Sequence, residues 1–398
     1  MDFRFTEAQE GFRQQVRQFL DKELPPGWTG LGGWVGFGGW SPQREEDYPI
    51  HRAFERKLAE KGWLTMAWPK EYGGQERSHI EQLIYTEEMS YRRAPGMGSM
   101  GVAWVGPTIM LYGDEEQKRG WVPKIAKAEV EFSTGYSEPN AGSDLASLQA
   151  RAIEDGDDFI INGQKVWTSG GHHSDYCWLA ARTDPTAPKH RGISVFIVDM
   201  KSPGITVRPL IDMTGFHHFN ELYLDDVRVP KRNLVGQKNQ GWYYLVMALA
   251  FERSGIGIFA AAGRSLEDLV QYVQETKHNG KPLAADAIIR HKLAELAVEI
   301  EVGRTLAYRI AWMQNRGQVP NVEASMSKLY GSELNQRLAR AALGIMRLYG
   351  QLHMGSKWAP LEGEFVLMSL RSVGNTIEQG TSEIQRNIIA QRGLGLPR

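Results

Sequence analysis

The sequence predicts a mainly α-helical protein with a β domain in its middle. Two observations carry that expectation. Apolar residues recur at helical spacing in the first third and in the last part of the 398 residues. Between them lie short β-branched and aromatic runs punctuated by Asp-Gly and Asn-Gly pairs. Three domains follow: an N-terminal α-helical domain over 1–130, a β domain over 131–235 and a C-terminal helical bundle over 236–398.

In chain order, Thr6-Glu-Ala-Gln9 reads as a capping box, with Phe12, Val16, Phe19 and Leu20 following at helical spacing. Trp28 to Trp40 is dense in glycine and aromatic residues. Glycine opposes regular structure there while the rings favour burial, so the segment reads as a lid, an interface tuck or a partly ordered surface loop. A helix is expected over roughly His79–Tyr91. In the β domain, Phe159-Ile-Ile-Asn-Gly-Gln-Lys-Val-Trp167 reads as a hairpin turning at Asn-Gly, and Ile193 to Val198 as a strand. Leu293, Leu296, Ile300 and Leu306 mark the apolar stripe of a later helix.

Composition removes several function classes. Lys+Arg 46 against Asp+Glu 47 leaves a net charge of -1, so no field favours nucleic acid or an anionic membrane surface. The single Cys177 has no internal partner, which fits a reducing compartment, and its apolar run makes it a core residue. No stretch matches a signal peptide, a presequence or a membrane span, so a soluble, cytoplasmic protein is expected. Gly96-Met-Gly-Ser-Met-Gly101 matches a dinucleotide-binding string but follows a helical segment rather than a strand. His172-His173 and His217-His218 lack ligand-like spacing to Cys or carboxylates and read as strand-end or surface residues, so no metal is expected. Lys70-Glu71 and Arg44-Glu-Glu-Asp47 read as solvated surface.

Two segments stand out. Gly135-Tyr-Ser-Glu-Pro-Asn-Ala-Gly-Ser-Asp144 offers backbone N–H donors with little bulk, suited to an electron-rich cofactor edge. Lys165-Val-Trp-Thr-Ser-Gly-Gly171 sets an indole face among hydroxyls, a platform for a flat ring. With Gly106 to Gly113 plus Gln117-Lys118, Asp225 to Pro230, and Gly380-Thr-Ser-Glu-Ile-Gln-Arg386, they form an ordered set over essentially the whole chain. In that order the set resembles the acyl-CoA dehydrogenase family. The resemblance implies a middle β-barrel, a C-terminal four-helix bundle and a homotetramer assembled through that bundle. It also implies noncovalent FAD, an acyl-CoA substrate, trans-2-enoyl-CoA as product and an electron-transferring flavoprotein as acceptor.

The resemblance further assigns residues. Tyr136 and Ser137 would donate to the flavin edge, Trp167 would stack beside the ring, and Ser169 with Thr168 would reach N5. Thr381 and Glu383 would hold the cofactor, and Ser143 would meet the pantetheine arm. The backbone N–H of Gln379 would polarise the thioester carbonyl. Most relatives carry the catalytic Glu where this chain has Gln379. The family's second placement puts Glu before Arg on a bundle helix, as in isovaleryl-CoA and long-chain dehydrogenases. Phe251-Glu-Arg253 matches it, making Glu252 the base and Arg253 a residue facing CoA. Thr276 stands where many relatives have an Arg that reaches a neighbouring subunit's flavin pyrophosphate, so that contact is left open. An oxygen-using oxidase and a non-catalytic subunit of a heteromer remain the alternatives.

Overall fold

The computed structural model describes residues 4–31, 33–36, 39–248 and 254–397. The chain divides into a helical unit, from residues 1–51, 77–97 and 253–398, and a sheet unit, from 52–76 and 98–252. The first elements are α1 (Glu7–Glu23), β1 (Gly33–Gly36), β2 (Gly39–Pro42), α2 (Tyr48–Glu60), α3 (His79–Tyr91), α4 (Gly106–Tyr112) and α5 (Glu115–Ala126). The sheet strands follow: β3 (Phe132–Gly135), β4 (Arg151–Asp155), β5 (Asp158–Lys165), β6 (Tyr176–Arg182), β7 (Ile193–Asp199), β8 (Ile205–Leu210) and β9 (Phe219–Pro230). Helices then return as α6 (Gly241–Ala248) and α7 (Ile256–Glu275). After the two-residue strands β10 (Lys277–His278) and β11 (Lys281–Pro282) come α8 (Ala287–Asn315), α9 (Asn321–Met346), α10 (Glu364–Asn375) and α11 (Ser382–Ile388). The helix–sheet–helix order is the one the sequence predicts.

In the helical unit α1 starts where its capping box places it. Thr6 Oγ1 accepts from Gln9 N, Gln9 Oε1 accepts from Thr6 N, and Phe12, Val16, Phe19 and Leu20 are buried. α3 runs over His79–Tyr91 as expected, opened by a second capping box between Ser78 and Glu81. Phe259, Leu269, Leu296, Ile300, Leu334, Leu338 and Phe365, from α7 to α10, share one core. On α8 the predicted stripe needs one correction. Leu306 is only half-buried, because the helical period carries the inward face through Gly303, Ala307 and Ile310.

The Trp- and Gly-rich segment contains regular structure, the two short strands Gly33–Gly36 and Gly39–Pro42. β1 and β2 pair antiparallel with Val35 opposite Trp40. The Trp40 indole is wholly buried and donates to Gly30 O at 2.8 Å, and Trp28 meets it edge-on at 5.2 Å. A Cβ on Gly33 would overlap the Trp40 ring, so glycine here serves ring clearance. The Arg44–Asp47 run also departs from the expected solvated surface. Asp47 is buried and bound by Arg44 Nε at 2.7 Å and Nη2 at 3.1 Å.

The sheet unit holds a seven-stranded sheet in the order β3-β6-β4-β5-β9-β8, with β7 also paired to β6. The Asp155-Gly-Asp-Asp158 turn joins β4 to β5, as an Asp-Gly pair predicts. Asn162-Gly163 makes no turn, correcting the expected hairpin. β5 runs through it to Lys165, and the register against β9 shifts between Ile161 and Gly163. Gly163 has φ +150, and a Cβ there would lie 2.6 Å from the Ala150 Cβ. The pair is a β-bulge imposed by the neighbouring strands. Cys177 is a core residue as predicted, with its thiol pushed up to about 12 by burial. Residues 96–101 follow α3 and lead through a π-helical turn (Gly101–Val105) into α4, so no strand precedes the glycine string. Among the described residues no helix is long and apolar enough to cross a membrane.

Gly303 on α8 faces the Phe259 ring of α7 so closely that a Cβ would overlap it. Gly303→Ala should therefore cost about 1–3 kcal/mol of stability through overpacking, measured by urea denaturation. An unchanged midpoint would mean that the two helices separate freely.

Candidate active site

The sheet unit brings the two outstanding segments side by side. β3 runs parallel to β6, with Gly135 opposite Leu179, and a Cβ on Gly135 would lie 2.9 Å from Cys177 Sγ. The chain leaves this crowded point along the end of β5, where Val166 N donates to Ser137 O at 2.9 Å. Glu138 and Ala141 then exchange backbone hydrogen bonds of 3.1 and 3.0 Å, closing a tight loop.

Lys165 lies beneath this loop, wholly buried. Its Nζ donates to Glu138 Oε1 at 2.7 Å and to Tyr136 O at 3.1 Å. The Glu138 carboxylate also accepts from Gln149 N at 2.6 Å and Ala150 N at 2.8 Å. Burial lowers the Lys165 ammonium from its ordinary value, with Glu138 opposing that shift. Sequence reasoning quoted both residues within motifs but missed their pairing. They are 27 positions apart, and no local spacing rule links them.

Beyond Lys165 the backbone turns sharply. Trp167 has φ +61, a left-handed conformation unusual for a bulky residue, and its side chain is 52% exposed. Phe219 supports the indole edge-on at 5.3 Å. Thr168 faces inward and is wholly buried, while Ser169 is half-buried. Gly170 has open space where a Cβ would stand. Thr168 N donates to Asn220 O at 3.0 Å, and Asn220 Nδ2 donates to Thr168 O at 3.0 Å. The histidine pairs, expected as strand-end or surface residues, are half-buried, with His217-His218 directly before β9. The His172 and His217 rings stack at 3.9 Å and both hydrogen-bond Asn220.

The remaining sheet-unit residues lie on the first loop. The Tyr136 ring stacks on Trp104 with centroids 5.9 Å apart, and burial raises its phenol. Ser137 is half-buried and Ser143 exposed, and Asp144 beside it binds Lys189 Nζ at 2.8 Å. The flavin that the resemblance implies fits this surface. A large ring at Trp167 is left uncovered, a hydroxyl at Ser169 stands next to it, and the glycine beyond leaves room for a flat neighbour.

In the helical unit, the turn after α10 holds Gln379 in a left-handed conformation at φ +53, exposed, followed by Gly380 at φ +89. Among the described residues nothing accepts the Gln379 N–H. Lys328 Nζ donates to Asn375 O at 2.9 Å and Gly380 O at 2.8 Å, and Gln385 Nε2 to Gln379 O at 3.1 Å. Burial pulls Lys328 down to about 8, with Glu378 opposing. Glu378 accepts from Arg371 at 2.9 Å and Asn375 at 2.5 Å. Burial alone would raise this carboxyl, but Arg371, Asn375 and Lys328 hold it below the ordinary range. Thr381 caps α11 by accepting from Ile384 N at 3.2 Å, and Glu383 is exposed in its first turn. Thr276 caps the C-terminal end of α7. Glu252 and Arg253, the expected base and its neighbour, lie outside the described residues.

Comparison with known proteins agrees over the full length. Residues 6–129, 133–227 and 239–394 match the acyl-CoA dehydrogenase N-terminal, middle and C-terminal domain models. Acyl-CoA dehydrogenase FadE26 of Mycobacterium tuberculosis is 36% identical, over 100% of this chain and 99% of the relative. The solved structure titled Tcur3481-Tcur3483 steroid ACAD aligns with a TM-score of 0.88 and 36% identity, covering 100% of both chains. The ChsE4-ChsE5 complex from M. tuberculosis aligns at a TM-score of 0.86 and 36% identity, also over 100% of both chains.

Removing one member of a buried ion pair strands the other. Lys165→Met should destabilise the protein by about 3–5 kcal/mol, read from chemical denaturation. The double variant Lys165→Met/Glu138→Gln should regain part of that loss. A single-variant loss below about 1 kcal/mol would show that the Glu138 charge is satisfied without Lys165.

Proposed function

The chain belongs to the acyl-CoA dehydrogenase family, and from that premise we propose that it converts an acyl-CoA thioester to the trans-2-enoyl-CoA using noncovalent FAD. The observation that carries this reading is the joining of the Gly135–Asp144 and Lys165–Gly171 segments by the buried Lys165–Glu138 pair. Bound FAD supplies the acceptor for the hydride leaving the substrate Cβ.

The chain's own residues do the rest. Tyr136 and Ser137 present donors to the cofactor's electron-rich edge, where preorganised dipoles act without reorganising. Trp167 flanks the ring, Ser169 offers a hydroxyl beside it with the buried Thr168 behind, and Thr381 and Glu383 hold the cofactor. Ser143 orients the pantetheine arm and Arg253 faces the CoA moiety. The Gln379 N–H donates to the thioester oxygen and acidifies the α-proton. No described residue accepts from that donor, which supports the role. Glu252 takes the α-proton. Glu378, the nearest carboxylate to the usual position of the base, is held ionised and occupied by Arg371 and Asn375, which suits it poorly to accept a proton at turnover.

The likeness to a steroid ACAD supports an acyl group that carries bulky rings. Electrons then pass to an electron-transferring flavoprotein, and the enzyme works in the cytoplasm. The helical bundle assembles a homotetramer. A heteromer with a related chain is the second reading, favoured by the two-protein names of the neighbouring structures.

The purified protein should be yellow and take up one FAD per chain. Under anaerobic conditions a steroid-bearing acyl-CoA ester should bleach the flavin faster than hexadecanoyl-CoA does. Glu252→Gln should bind FAD and acyl-CoA yet reduce its flavin on the order of 10³-fold more slowly, while Glu378→Gln keeps most of the parent rate. A colourless protein that refuses added FAD would contradict the reading. Parental flavin reduction in Glu252→Gln with loss in Glu378→Gln would move the base to Glu378.

A further inference from the structure

The Trp167 turn is held by a residue that nothing above makes part of the machinery. Asn220, the second residue of β9, is 0% exposed. Its main chain accepts from Thr168 N and its side chain donates to Thr168 O, each at 3.0 Å, so the residue after Trp167 is gripped from both sides. The second Nδ2 proton goes to His172 Nδ1 at 3.0 Å, and Oδ1 accepts from His217 Nε2 at 2.8 Å.

The orientation of this amide is determined by chemistry. Thr168 O only accepts, so Nδ2 must face it. His172 Nδ1 is then an acceptor and His217 Nε2 a donor. A volume-filling residue would need none of this: leucine lacks every polar atom used, and aspartate lacks both donors. The stacked His172 and His217 rings buttress the amide, and Gly171 leaves the space it needs. A Cβ on Gly171 would stand 2.9 Å from Thr168 Cγ2 and 3.4 Å from Asn220 Nδ2. A non-glycine residue in the left-handed region persists only where its surroundings over-determine it, and Asn220 is the group that does so here.

We propose that Asn220 is a positioning residue for the flavin: it sets the turn that presents the Trp167 ring and the Ser169 hydroxyl to the cofactor. This role rests on the flavoprotein reading above. Its effect acts through Thr168 and does not require Asn220 to touch the cofactor.

Asn220→Asp keeps the shape and removes both N–H donors. Its apoprotein should keep the parental far-UV circular dichroism and bind FAD about 10-fold more weakly, the scale expected for losing one or two buried hydrogen bonds. The bound flavin should show a shifted visible absorption band, and substrate should reduce it more slowly at unchanged substrate Kd. His217→Phe removes only the donor to Oδ1 and should weaken FAD binding about three-fold, so a poorly folding Asn220→Asp leaves the test intact. Folded variants with parental FAD affinity and an unshifted flavin spectrum overturn the role of Asn220. A parent protein that takes up no FAD overturns the flavoprotein reading itself, and this role with it.

Discussion

The buried ion pair between Lys165 and Glu138 is the constraint on which the sheet unit's two motif loops depend. An ammonium taken wholly out of water is tolerated only where its partner and further acceptors replace the lost hydration. Here Lys165 has the Glu138 carboxylate and the Tyr136 carbonyl, and Glu138 holds two backbone N–H groups besides. Neither side chain can leave without stranding the other. Two loops that are far apart in sequence therefore behave as one body, and the small residues at Gly135 and Gly163 let the strands beneath them approach closely enough to enclose the pair.

A second theme is backbone strain placed beside expected chemistry. Trp167 and Gln379 are both non-glycine residues in the left-handed region, one in each unit. Each is fixed by side chains from neighbouring elements: Asn220 for the first, Lys328 and Gln385 for the second. Such conformations persist where the surroundings over-determine them, and they gather at functional sites. The same arrangement also answers the main departure from the family pattern. A glutamine side chain at 379 cannot take a proton, whereas the main-chain N–H there is kept, in a left-handed turn where no described residue accepts it.

What the sequence reveals follows the range of the interactions. α1, α3, β7 and the burial of Cys177 were legible because capping boxes and apolar periodicity act within a few residues. The Asn162-Gly163 pair misled because a turn and a bulge share one local signature, and only the pairing of β5 with β9 distinguishes them. The β1–β2 pairing and the buried Asp47 were missed for the same reason: glycine density and charge density describe a segment, while a buried indole or a well-placed arginine decides its structure. The site divides in the same way. Its loops were visible as motifs and their roles came from family resemblance. The Lys165–Glu138 pair and the His172–Asn220–His217 group join distant positions, which one sequence cannot pair.

The most direct test of the account is amide hydrogen exchange in Glu138→Gln, which removes the charge from the pair while keeping its shape. If the pair fuses the two loops, exchange should speed up about 10-fold or more at Val166, Thr168 and Gly170 as well as at Gln149 and Ala150, in the manner of one cooperative unit opening. The amides of β7 should keep their protection. Acceleration confined to Gln149 and Ala150, with Val166 to Gly170 unchanged, would contradict it: each loop would then be held by its own contacts.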